Sequence, residues 1–131
     1  MTESTATGLS GAELVAFVAS TDTARSRAFY EGVLGLRVID DDGFACVVDA
    51  HGTTVRITAV PERAPAVYTV LGWKVDDLDA TIDRLGARGV AFLRFDGMEQ
   101  DDRGAWTAPG GERIAWFADP DGNTLSLQAP A

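Results

Sequence analysis

A strand, an aspartate, an amphipathic helix and a closing glycine occur in that order twice along this chain. Residues 14–36 read LVAFVASTDTARSRAFYEGVLGL and residues 69–90 read TVLGWKVDDLDATIDRLGARGV. The anchoring residues Asp22 and Asp77 lie 55 positions apart (77 − 22). Each unit is followed by strand-like runs broken by turn residues. A repeat of this kind implies two stacked copies of one supersecondary unit, since neither copy buries its apolar face alone. The expected class is α+β: two βαβββ modules forming a curved, cup-shaped mixed sheet with helices on its outer face.

The bulk properties exclude several functions. At 131 residues, 46% of them hydrophobic, the chain makes one domain with a real core. A net charge of −9 argues against nucleic acid and against anionic membrane surfaces as partners. No apolar run approaches the ~18 residues of a membrane span. The N-terminus, MTESTATGLSG, lacks the basic and apolar regions of a signal peptide. A single cysteine, Cys46, excludes an internal disulfide, so a cytoplasmic location is expected.

Hydrophobic periodicity and turn chemistry divide the chain into a disordered tail over 1–12 and one domain over 13–129. Module one spans about 13–60, a proline-bearing linker 60–68, and module two about 69–129. The first module reads as a strand over 14–20, then a helix over 23–34 capped by Asp22, with Ala24, Ala28, Phe29 and Val33 on one stripe. Strands near 36–40, 44–49 and 53–59 follow, with Asp42-Gly43 and His51-Gly52 as turns. The second module reads as a strand over 69–75, then a helix capped by Asp76 with Leu78, Ile82 and Leu85 inward. Strands follow near 90–95, 104–108, 113–118 and 123–128. Asp119-Pro120-Asp121-Gly122-Asn123 reads as turn chemistry, with nothing catalytic in it.

Three segments, AFYEGVLGL (28–36), WKVDDLDATIDRLGARGV (73–90) and WFADPDGNTLSL (116–127), resemble the vicinal oxygen chelate superfamily of glyoxalases, extradiol dioxygenases, fosfomycin-modifying enzymes and bleomycin-type resistance proteins. The resemblance covers about 12–128 and implies that dimers are common. It also implies metal ligands on the first and last strands of each module. Carried onto this sequence, those positions are Val15, Arg56, Val70 and Ser126. None is an ordinary ligand for a divalent metal, and an arginine places a positive charge where the cation would sit. The chain has one histidine, His51, in an expected hairpin turn, so a two-His-one-carboxylate site cannot form within one subunit. An oxygen-only site would have to draw on Glu99, Asp101 and Asp102 in MEQDDRG, a segment that reads first as a solvated loop. No metal and no other cofactor is expected.

Strand alternation then nominates the cup lining. Val15, Phe17 and Ala19 share one face of their strand, as do Val70, Gly72 and Lys74. Thr54, Arg56 and Thr58 line one side, and Thr124, Ser126 and Gln128 the other. On the third strands Cys46 and Trp116 are expected inward, with Val47 and Phe117 on the helices; a one-residue slip reverses such an assignment. Trp106 is placed at the mouth. The expected ligand-binding set is Val15, Phe17, Cys46, Arg56, Val70, Lys74, Trp106, Trp116, Ser126 and Gln128. This apolar and aromatic lining with a few polar groups suits a small hydrophobic or aromatic ligand. The expected function is metal-independent sequestration of such a metabolite or drug by a homodimer. The alternative is a lyase or isomerase of the same fold, glyoxalase-like, using Arg56, Lys74 or a carboxylate such as Glu13 or Asp49 in place of a metal. Cys46 qualifies as a nucleophile only with a lowered pKa and a base nearby.

Overall fold

In the computed structural model residues 8–62 and 68–131 are described. The expected tail and the linker core over 63–67 thus lie largely outside the described residues. Apolar alternating runs bounded by Asp and Gly make the strands β1 (Val15–Ser20), β2 (Arg37–Asp41), β3 (Ala45–Ala50) and β4 (Thr53–Ala59). They form one four-stranded sheet in the order β1-β4-β3-β2, parallel only between β1 and β4. β5 (Thr69–Lys74), β6 (Trp106–Thr107), β7 (Arg113–Ala118) and β8 (Thr124–Ala129) repeat the topology as β5-β8-β7-β6, with β5 and β8 parallel. The molecule is α+β with two open mixed sheets, as the repeat implies. The β3–β4 hairpin turns at His51 (φ 52°) and Gly52 (φ 93°), where both central residues need the left-handed region.

The helices follow the caps, with two departures. Asp22 accepts the Arg25 N–H at 3.1 Å and starts α1 (Thr23–Arg27), but the next turn, Ala28–Val33, is π-helical. There the Leu34 N–H reaches back five residues to the Phe29 carbonyl at 3.0 Å. Ser26 and Tyr30, one regular turn apart, face inward and are buried, while Ala24 and Ala28 of the expected stripe are exposed. α2 (Leu78–Ala87) is capped by Asp77, whose carboxylate accepts the Ala80 N–H at 3.0 Å, rather than by Asp76. Its stripe Leu78, Ile82 and Leu85 is buried as expected.

The strand expected over 90–95 reduces to one bridge, Phe92 to Phe117, and one bond from Leu93 N–H to the Trp116 carbonyl at 2.7 Å. Side chains supply the rest of that segment's order. The Gln100 amide donates to the carbonyls of Leu93 and Gly104 and accepts the Phe95 N–H, each at 2.8 Å. Arg94 donates to the Asp102 carbonyl at 2.8 Å. Asp101 accepts the N–H groups of Arg103 and Ala105 and pairs with Arg113 at 2.8 Å. MEQDDRG is therefore an organised loop, strapped to α2 through Arg103 with Asp83 and Arg113 with Asp79.

Both sheets give one face to a single core. Val18, Val48, Val55 and Ile57 from the first sheet join Phe117, Leu125 and Leu127 from the second, with Tyr30 and the α2 stripe between them. Phe29 packs on Phe117 at a ring separation of 6.4 Å, and Arg88 donates to the Val33 carbonyl at 2.8 Å. The β7–β8 turn is a polar clamp on the first module. The Tyr30 hydroxyl donates to Asp119 Oδ2 at 2.6 Å, Asn123 Nδ2 to the Ala19 carbonyl at 3.0 Å, and the Thr21 hydroxyl to Asp121 Oδ1 at 2.6 Å. With one face of each sheet committed to that core, the other face of each stands open.

Candidate functional site

The open face of the first sheet is read directly from its register. Phe17, Arg56, Val47 and Asp40 form one cross-strand row. Val15, Thr54, Asp49 and Arg37 form the row on one side, and Ala19, Thr58 and Ala45 the row on the other. Phe17 is 64% exposed and Val15 42%, values at odds with a folded core residue. Arg37 and Asp49 pair at 4.0 Å. Arg56 is half-buried.

The open face of the second sheet carries Gly72, Ser126 and Trp116 in one row, and Lys74, Gln128, Ile114 and Trp106 in the next. A Cβ at Gly72 would stand 2.6 Å from Ser126 Oγ, so a larger residue there forces that hydroxyl to move. Trp116 lies 6.2 Å from Trp106 and meets Phe95 edge-on at 5.5 Å, making an aromatic shelf. Two open clefts flank it. One of about 500 Å³ is lined by Lys74, Glu112, Ile114 and Gln128, and one of about 560 Å³ by Asp96, Met98, Glu99 and Trp106.

The structure thus places Val15, Phe17 and Arg56 on one open face, and Lys74, Trp106, Trp116, Ser126 and Gln128 on the other. Two of the nominated residues lie elsewhere. Cys46 is fully buried in the helix-side core, and Val47 takes the open face. The register is one residue out from the expected one, because Ala45–Val48 is apolar throughout and offers no alternation to read. Val70 sits in a bulge between Thr69 and Leu71 and packs against the core. Phe95 and Ile114 were not foreseen. Alternation along β7 would have supplied Ile114, whereas Phe95 belongs to an irregular segment with no periodic signal.

The other chemical candidates are occupied or remote. Burial pushes the Cys46 thiol pKa up, away from a thiolate nucleophile. His51 is exposed in its turn. Asp49 accepts the Gly52 N–H at 3.2 Å besides pairing with Arg37, and Glu13 is exposed. Burial opposes ionisation of Asp101, but the N–H groups of Ala105 and Arg103 together with Arg113 hold its pKa below the ordinary range. Among the described residues no group of three or more His, Cys, Asp or Glu converges as a metal site. The inherited ligand positions present a valine, an arginine, a bulged valine and a serine. This donor set does not fit a divalent cation.

Two βαβββ modules with this topology define the class of fold. The sequence model of the Glyoxalase/Bleomycin resistance protein/Dioxygenase superfamily matches residues 13–127, and the chain belongs to that superfamily. Among solved structures it is similar to TnmS3, an antibiotic binding protein from Streptomyces sp. CB03234, at 28% identity with a TM-score of 0.69, over 91% of this chain and 95% of that one. A superfamily member from Sphaerobacter thermophilus DSM 20745 shares 26% identity with a TM-score of 0.69, over 89% of this chain and 95% of that one. Lactoylglutathione lyase from Agrobacterium tumefaciens, 18% identical with a TM-score of 0.71 over 90% and 92% of the two chains, shares the fold. No curated protein matches the chain. Among the described residues no helix is long and apolar enough to cross a membrane.

Proposed function

We propose that this protein binds a hydrophobic or aromatic small molecule, a metabolite or drug, on its open sheet faces and holds it chemically unchanged and without a metal. The observation that carries this reading is the pair of open faces. They expose Phe17 and Phe95 and leave Trp106 and Trp116 only half-buried beside Phe95, and the positions expected to hold a metal offer no ordinary metal ligand. The likeness to an antibiotic binding protein at 28% identity supports it. The two open faces lie on separate sheets that share one core, so a second copy is the simplest means of enclosing a ligand between them. The working form is accordingly a cytoplasmic homodimer, with no nucleic-acid or membrane partner at a net charge of −9.

Native mass spectrometry of the protein purified from its own cells tests this. The expected species is a metal-free dimer carrying an organic mass that is recovered unaltered. A stoichiometric metal, or conversion of the recovered ligand on incubation, refutes sequestration and moves the protein to the enzymes of this fold.

A further inference from the structure

We propose that the ligand is a planar aromatic acid, its carboxylate held by Arg56 and its ring laid on Phe17. This deepens the small-molecule reading above and rests on it. Arg56 occupies the centre of the open face of the first sheet, with Phe17 as its partner on β1 and Val47 as its partner on β3. Among the described residues it makes no hydrogen bond, ion pair or ring contact; its one interaction is its field at Asp42. Among the other described arginines only Arg84, exposed on α2, is likewise uncommitted. Arg25, Arg27, Arg37, Arg103 and Arg113 have carboxylate partners, and Arg88 and Arg94 donate to carbonyls. A half-buried guanidinium between two apolar side chains gives up hydration, and that loss calls for an anionic partner.

Among the described residues no carboxylate takes that place. Asp40, beyond Val47 in the same row, accepts the Asp41 N–H at 2.9 Å. Asp42 accepts the N–H groups of Phe44 and Ala45, each at 2.9 Å. Asp49 is paired with Arg37. The segments 1–7 and 63–67 contain a single acid, Glu3. Beside Arg56 on the same strand face stands Thr58, whose hydroxyl is the buried side-chain polar atom left without a partner among the described residues. Two donor groups without a partner among the described residues therefore stand two residues apart on one face, next to a largely exposed phenyl ring. A guanidinium fork matches a carboxylate in two parallel bonds, and a ring on Phe17 brings an arene acid into that geometry. Lys74, on the other sheet, is exposed and strongly hydrated, and gives no comparable anchor.

The test uses a matched set of probes on the full-length protein by calorimetry: 2-naphthoate, the isosteric neutral 2-naphthamide, and the cation 2-naphthylmethylammonium. The expected result is naphthoate binding about tenfold or more tighter than the amide, with the cation weakest. Arg56→Gln removes the preference, Arg56→Lys keeps part of it, and Arg84→Gln, on exposed α2 surface, leaves it intact. Thermal unfolding of each variant shows that it is folded; should Arg56→Gln fail to fold, Arg56→Lys alone must lower the naphthoate preference. Equal binding of naphthoate and amide overturns the anionic assignment while leaving the apolar-ligand reading in place. Preference for the cation, set by Asp40 and Asp42, also overturns it. If none of the three binds, both readings fail together. If Arg56→Gln weakens subunit association while probe selectivity is unchanged, Arg56 serves a partner's carboxylate and the assignment fails.

Discussion

Replacing Tyr30 with phenylalanine removes one oxygen from the centre of the clamp between the modules and leaves packing otherwise intact. The ring is fully buried and stands edge-on to Phe29 at 5.4 Å, and its hydroxyl donates to Asp119 Oδ2 at 2.6 Å. Without it, Asp119 keeps three donors: the Asp121 and Asn123 N–H groups on Oδ1 and Asn123 Nδ2 on Oδ2. The carboxylate is weakened rather than orphaned, which sets the cost near the middle of the range for a bond to a charged group, about 2 kcal/mol. An unfolding entropy of ~2.1 cal/mol/K per residue over the 131 residues gives about 0.28 kcal/mol/K, so Tm should fall by about 7 °C. Differential scanning calorimetry of Tyr30→Phe beside Tyr68→Phe, at an exposed ring expected to shift stability by less than ~0.5 kcal/mol, measures it. A Tyr30→Phe shift under about 2 °C would show that the Tyr30–Asp119 bond contributes little to joining the modules.

The same clamp predicts two pH responses. Burial, then the charge of Asp119, pushes the Tyr30 pKa far above its ordinary value, so its contribution is complete below about pH 10 and is lost as pH rises further; Tyr30→Phe should flatten the alkaline limb of a stability–pH curve. Burial works against ionisation of Asp121, but hydrogen bonds from Thr21, Ser20 and Ser26 bring its pKa below the ordinary range. Its contribution is therefore present at neutral pH and lost as pH falls below about 4, a loss that Asp121→Asn should abolish in acid unfolding. Gly72→Ala should cost about 1–3 kcal/mol through its collision with Ser126 Oγ, and the Gly72→Ala/Ser126→Ala pair should recover most of it in a double-mutant cycle; strict additivity would refute the contact. Cys46, buried with its thiol pKa raised, should react with a thiol reagent only on unfolding, so fast native labelling would contradict its place in the core.

The fold was legible because its signals are redundant. Asp22 caps, the Leu78–Ile82–Leu85 stripe and the two hairpin turns each agree with the repeat, and each is a local rule that tertiary packing reinforces. The open faces were legible wherever a strand alternates, as in β1, β4, β7 and β8. They were misread at Cys46, where an unbroken apolar run has no phase, and at Val70, where a bulge shifts the strand by one position. The helical stripe failed at Ala24 and Ala28 because the face that turns inward carries Ser26 and Tyr30, polar-tipped residues at regular spacing that an apolar pattern passes over. The role of the Asp119–Asn123 turn was hidden for a different reason: its residues satisfy a turn completely, and the bonds that tie it to Tyr30 and Thr21 span about ninety to one hundred positions that no local pattern reports.

That turn also changes what the repeat means for the chain's history and handling. The two halves resemble each other like copies of one gene segment, yet they are no longer interchangeable parts. Severed at the linker, the second half would keep a carboxylate shaped for a phenol it does not possess, and the first a phenol and a pair of serines facing water. Fragment complementation should therefore work only with the matched halves together, and a chain made of two identical modules would lack either the tyrosine or the turn that receives it.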